Sequence, residues 1–176
     1  MKCPPWGSME PIDEAGRGVR MEIRGARIED AAQACTVLRR SIQELCHADH
    51  NGDAAQLADW LFNKTPENVA AWIRNPQSLV FVATEGETIL GVAAMTKAGK
   101  ITLNYVSPDA RFRGISKALI DRLEAQAREL GLDRCTLNST ETARQFYLSL
   151  GYQEQIAPTN EAPTNEACRS MAKALI

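Results

Sequence analysis

The 176-residue chain is 44% hydrophobic, enough apolar material for one domain of ordinary size that closes its core without disulfide or metal staples. A formal net charge of -2 and a sequence pI near 5.8 exclude the broad basic field that drives binding to nucleic acid. Scattered cysteines without a C-x-x-C pair, no apolar run near the roughly 18 residues of a membrane span and no apolar secretory block predict a cytoplasmic protein with no disulfide framework and no membrane partner.

Residues 1–20 hold Pro4, Pro5 and Pro11 among glycines with no hydrophobic period, and the pattern changes at Met21 to M-E-I-R-G-A-R. This reads as a loose leader over 1–20, with Met21 a candidate start, and a single domain over 21–176 that opens on a strand. Asp30 is placed to cap a helix whose Ala34, Leu38, Ile42 and Leu45 form a buried stripe. A broken helical stretch follows. Thr65-Pro66-Glu67 then supplies a capping hydroxyl, a proline suited to the first helical position and a first-turn acid, so a helix is expected over 66–74, ended by Asn75-Pro76.

Apolar and β-branched clusters at 79–83, 89–95 and 101–106 are separated by E-G-E and K-A-G-K turns and predict an antiparallel meander. A helix with Ile115, Leu119, Leu123 and Leu130 on one side should stop at Gly131. A strand over 135–138, a helix over 140–150 closed by Gly151 and a last strand over 168–175 complete the order. Strand, helix, strand in that succession implies a parallel pair near the middle of the sheet. A-P-T-N-E occurs twice in tandem over 157–166, too short a period for a repeat fold, and reads as a surface loop.

The segment V-S-P-D-A-R-F-R-G-I-S-K-A-L over 106–119 is a strand that ends in a glycine-containing turn and opens into a helix. Arg111, Arg113 and Lys117 stand there in seven residues with no acid among them. Free N–H groups at a helix start and the positive end of its dipole attract anions, and Gly114 removes the Cβ that would hold phosphates away. The turn reads as a phosphate grip.

R-F-R-G-I-S at 111–116 and T-A-R-Q-F-Y-L-S-L-G-Y at 142–152, in this order of elements, resemble the GCN5-related N-acetyltransferases over about residues 21–176. The family's phosphate turn, Q/R-x-x-G-x-G/A, is matched by Arg111 and Gly114, with Ser116 in the last position. The resemblance implies a mixed α/β fold: a mostly antiparallel sheet with one splayed parallel pair and helices on both faces. It implies acetyl-CoA as acyl donor and a primary amine of a small molecule or peptide as acceptor, attacked directly with no cysteine intermediate. Cofactor contacts are then implied from Tyr105 and Val106 at the strand end, from Arg111, Phe112, Arg113, Gly114, Ile115, Ser116 and Lys117 in the turn, and from Thr140 and Ala143 at the last helix. The Val106 backbone N–H is implied as oxyanion donor and Tyr147 as general acid to the departing thiolate. A homodimer is compatible with it.

Periodicity alone gives Tyr147 a second reading, since Ala143, Phe146, Tyr147 and Leu150 share one helical face and would be core in any protein. No base is evident: Leu103, Asn104 and Tyr105 offer no carboxylate. His50, with Asp49 beside it, is the candidate for base or substrate contact, weighed against a solvated helix end. Cys46, His47, Asp49 and His50 lack a second ligand cluster, so no metal is expected. Trp60, Phe62 and Trp72 fall in the 45–72 stretch expected to shape the acceptor side. The alternative of another class is a regulatory module that binds acyl-CoA without turnover; a dinucleotide-binding fold is disfavoured because G-x-G-x-x-G is absent.

Overall fold

Runs such as V-F-V-A and L-G-V-A-A-M are apolar at every position, not every second one, the signature of a sheet buried on both faces. The computed structural model, which describes residues 20–155 and 169–175, bears this out. The leader to residue 19 and the tandem A-P-T-N-E segment lie outside the described residues.

Strands β1 (Met21–Gly25), β2 (Ser78–Glu85), β3 (Thr88–Thr96) and β4 (Lys100–Val106) pair antiparallel in sequence order. β5 (Arg134–Ser139) lies parallel to β4, and β7 (Arg169–Ala174) and β6 (Gln153–Glu154) complete a seven-stranded sheet of order β1-β2-β3-β4-β5-β7-β6. Between β1 and β2 run α1 (Ala31–Leu45), α2 (His47–His50), α3 (Ala54–Leu61) and α4 (Pro66–Arg74). α5 (Ile115–Glu129) links β4 to β5, and α6 (Glu141–Ser149) follows β5.

Alternation along the strands divides the core. Val80, Val82, Val92 and Ala94 pack with Ala34, Leu38 and Val69 under α1 and α4. Phe81, Ala83, Ala93 and Met95 pack with Ile115, Leu119 and Leu123 under α5. Each full burial of such a side chain contributes about 1.5–3 kcal/mol before chain entropy is charged against it. The expected helix over 66–74 is present: Thr65 Oγ1 accepts from Asn68 N at 3.2 Å and Pro66 occupies the first turn.

Two local expectations are corrected, and one element is added. Asp30 does not cap α1; its carboxylate accepts from Arg27 N at 2.6 Å and from both terminal nitrogens of Arg24 at 2.7 and 2.9 Å. The Arg24 guanidinium, aided by the Arg27 amide, holds that carboxyl below the usual range, and the pair fastens β1 to the start of α1. Leu130 does not extend the apolar stripe of α5: it is 41% exposed and Ala127 takes the buried position. β6 was not expected, because two residues are too few to carry an alternating pattern; Gln153 and Glu154 join the edge by pairing with Ala172 and Met171.

The approach of α5 to the sheet depends on Gly91. A Cβ there would stand 2.8 Å from Ile115 Cγ2, 2.9 Å from Leu119 Cδ1 and 3.3 Å from the Tyr105 carbonyl oxygen, so a side chain would lever the first turn of α5 off β3 and β4. Gly91→Ala should destabilise the fold by about 1–3 kcal/mol, the usual range for overpacking. Urea unfolding checks this, with an unchanged midpoint as the contrary result.

Candidate functional site

β4 and β5 are paired at only two positions, Lys100 with Thr136 and Ile101 with Leu137. Beyond Ile101 the strands part, and the gap between them is the floor of a cleft of about 470 Å³. On its other edge β4 stays bound to β3, with Val106 opposite Gly91 and Ser107 N donating to Leu90 O at 2.8 Å. Peptide groups alternate sides along a strand, so the N–H of Val106, one residue before Ser107, is directed away from β3 toward the gap.

At the upper end, Pro108–Ala110 form a single helical turn and the chain enters α5 through Gly114 at φ +75. No side chain caps α5, and the first bond of its ladder runs from Ala118 N to Gly114 O at 3.0 Å. The N–H groups ahead of Ala118 belong to residues that line the cleft, Gly114, Ile115, Ser116 and Lys117, where a helix start favours an anion. A Cβ on Gly114 would meet nothing within 4 Å beyond its chain neighbours, and Gly114 is among the residues that line the cleft. The Ser116 hydroxyl does not cap the helix.

The cations of this turn are less free than their sequence suggests. Arg113 donates to Glu85 of β2 at 2.5 Å, and Lys117 to Asp121 one helical turn on at 2.6 Å. Arg40 of α1 grips Asp109 at 2.6 Å while also holding Glu44. The Arg113–Glu85 pair fixes the turn against β2 and the Arg40–Asp109 pair fixes it against α1, while the Lys117–Asp121 pair lies within α5. Arg111 instead lies over the Phe112 ring, 4.6 Å from its centre. Phe112 itself is 93% exposed with φ +61, a left-handed conformation a bulky residue adopts at a cost.

The facing wall comes from α6. Thr140 Oγ1 accepts from Ala143 N at 3.3 Å as the helix cap, and Thr140, Ala143, Phe146 and Tyr147 all border the cleft. Tyr147 is buried at 7% exposure and stacks edge-on with Phe146 and Tyr152. Its hydroxyl accepts from Asn104 Nδ2 of β4 at 3.3 Å. Burial raises the phenol above the ordinary tyrosine value, with the Asn104 bond pulling weakly the other way. Asn104 was passed over in the sequence for its lack of charge, though its place two residues before Val106 puts it on the same edge of β4.

His50 stands apart from this group. It is not among the residues lining the cleft; it is 2% exposed, so it is no solvated helix end. Its Nδ1 accepts from Gly52 N at 3.2 Å and its Nε2 is buried without a partner. Neighbouring Asp49 accepts from Thr142 N at 3.1 Å and so ties α2 to the start of α6. The aromatic residues of 45–72 separate likewise: Trp60 lines the cleft, Phe62 is 84% exposed and Trp72 packs on the core. No group of three metal-ligating side chains occurs among the described residues, and no helix among them is long and apolar enough to cross a membrane.

The acetyltransferase (GNAT) domain family matches residues 46–164. Among solved structures, a GCN5-related N-acetyltransferase from Rhodopseudomonas palustris is 26% identical, with 87% of this chain and 94% of that chain covered at a TM-score of 0.74. A PaiA N-acetyltransferase from Thermoplasma acidophilum in complex with coenzyme A is 20% identical over 88% of this chain and 99% of that one, TM-score 0.72. A GNAT-family acetyltransferase from Staphylococcus aureus is 18% identical over 89% and 100%, TM-score 0.64. No curated protein sequence matches the chain.

Because Tyr147 is desolvated and bonded through Asn104, its phenol should ionise above the usual value of about 10, and replacing Asn104 by leucine should raise it further. Ultraviolet phenolate titration, with Tyr147→Phe as the difference control, reads this. A Tyr147 that titrates at or below the ordinary value would contradict the geometry.

Proposed function

The chain belongs to the GNAT acetyltransferase family, and on that premise we propose that it moves the acetyl group of acetyl-CoA directly to a primary amine. The observation that carries the reading is the junction of an uncapped helix start at Gly114 with a sheet gap that ends at Val106, in one continuous cleft. The group fits the residues: Gly114 lines the cleft with open space around its Cα, and a diphosphate matches the row of N–H donors through Lys117. Arg111, with no acid bonded to it among the described residues, adds a cation at the same mouth.

Acetyl-CoA supplies an acyl carbon already activated as a thioester. The protein's part begins with position. Amides of the pantetheine arm can pair with the unpaired edge of β4, and this aligns the thioester near Val106. As the amine attacks, charge builds on the carbonyl oxygen; the fixed N–H dipole of Val106, directed into the gap, stabilises it without reorganising. Tyr147 serves as hydrogen donor to the departing sulfur. Its raised pKa keeps the proton on the phenol at neutral pH, and because Asn104 Nδ2 donates to the same oxygen, the O–H is free to point elsewhere. Ser116, Lys117, Thr140 and Ala143 complete the cofactor contacts in this reading. His50, buried behind the wall, is not the base.

Tyr147→Phe should keep the fold and the affinity for coenzyme A while lowering turnover roughly tenfold or more, the lower part of the range for lost acid catalysis. Calorimetry with coenzyme A and thiol release from acetyl-CoA across a panel of amines measure the two halves. Unchanged turnover removes Tyr147 from the mechanism, and tight binding with no thiol from any amine favours a non-catalytic acyl-CoA module.

A further inference from the structure

Once the donor lies along β4 and the turn before α5, the wall left for the acceptor is built by α1, the residue after it and α3: Ser41, Leu45, Cys46 and Trp60. None carries a charge. The Cys46 thiol, pushed up to about 12 by burial, stays neutral, and Trp60 offers a flat apolar surface. Among the described residues that line the cleft there is no aspartate, glutamate or histidine; the charged ones are Arg111 and Lys117, both in the phosphate turn.

Four nearby carboxylates are engaged outside the cleft lining. Asp109 is held by Arg40, Asp121 by Lys117, Glu85 by Arg113, and Asp49 by the Thr142 amide. Among the described residues, the cleft lining therefore presents no carboxylate that would attract a second positive charge on the acceptor and no carboxylate or imidazole that would take a proton from an ammonium group.

We propose that the acceptor is a weakly basic primary amine on an apolar or aromatic body, an amine already uncharged near neutral pH, and not a polyamine or a lysine side chain. This rests on the transferase reading above and narrows it. Proton balance supports it. A neutral amine forms the C–N bond with its lone pair, the C–S electrons leave on sulfur, and the nitrogen then carries one proton too many while the sulfur lacks one. Tyr147 gives its proton to sulfur and regains one from nitrogen, directly or through water, so no separate base is consumed or required. An ammonium must lose one proton more before it can attack.

The magnitude is large enough to set a preference. An α-amino group of pKa about 7.7–8.0 is roughly one-third neutral at pH 7.5, whereas a lysine amine of pKa about 10.4 is neutral in about one molecule per thousand. A site whose described lining holds no carboxylate or imidazole base takes its acceptor from that neutral fraction.

Three acceptors test this with wild-type protein and acetyl-CoA: L-phenylalaninamide, Nα-acetyl-lysinamide and spermidine, each followed by thiol release over a pH series. The expected kcat/KM at pH 7.5 is at least about tenfold higher for phenylalaninamide, and the acidic limb of each profile should bend at the acceptor's own pKa. Trp60→Ala should raise KM for phenylalaninamide with KM for acetyl-CoA unchanged, and Trp60→Phe should largely restore it. A limb that bends at one pH for every acceptor would reveal an enzymic base and overturn the proposal, as would a preference for spermidine; either leaves the transferase reading standing. Acetyl-CoA binding with no thiol from any of the three overturns both.

Discussion

The parting of β4 from β5 is the constraint on which the site depends. Two parallel strands joined at two positions give up the hydrogen bonds that continued pairing would have made, and an edge left inside a folded domain is tolerated only where something else takes those bonds. Here the parting turns one edge of β4 into a row of peptide groups facing a cleft, with the N–H of Val106 near its end. The other edge stays locked to β3, so the donors are held by a rigid element.

The second requirement is that the start of α5 stand at the end of that row. Gly91 sets the depth at which Ile115 and Leu119 seat on the sheet, and ion pairs from β2 and α1 hold the turn from two sides. Pairs this exposed are worth little each in stability. Their contribution is orientation: with Arg113 and Lys117 neutralised by carboxylates, backbone amides and Arg111 are what remain to meet an incoming anion. Charge that looks like a ligand grip in the sequence is in part structural fastening, and the proposed grip is mostly main chain.

The elements most legible in the sequence were those where several local signals agreed. Thr65, Pro66 and Glu67 each favour a helix start for a different reason, and the helix is there. The meander was readable because β-branched runs alternated with glycine turns, and the strand-to-helix passage after β4 because Gly114 interrupts it. What failed to show were side-chain partners and burial. Asp30 has the composition of a cap, yet Arg24 claims its carboxylate; Leu130 continues a period that Gly131 ends before it can be buried; His50 offers a base candidate or a solvated helix end, and it is buried and not among the residues lining the cleft. Asn104 is the instructive omission. A neutral amide on β4 carries no signal by itself, and its bond to Tyr147 spans 43 residues of sequence that only the fold closes.

In the proposed mechanism Tyr147, Asn104 and Val106 meet charge with fixed dipoles and one shared proton, with no ionised catalytic side chain. Everything in that account begins with the anchoring of a diphosphate on the amides around Gly114, and it is tested most directly by comparing, in a calorimeter, acetyl-CoA with S-acetylpantetheine, which keeps the thioester and the arm but has no diphosphate. The account predicts that S-acetylpantetheine binds at least about a hundredfold more weakly, a difference of about 2.7 kcal/mol, and that replacing Gly114 by valine weakens acetyl-CoA while leaving S-acetylpantetheine unaffected. Equal affinities for the two ligands would contradict it.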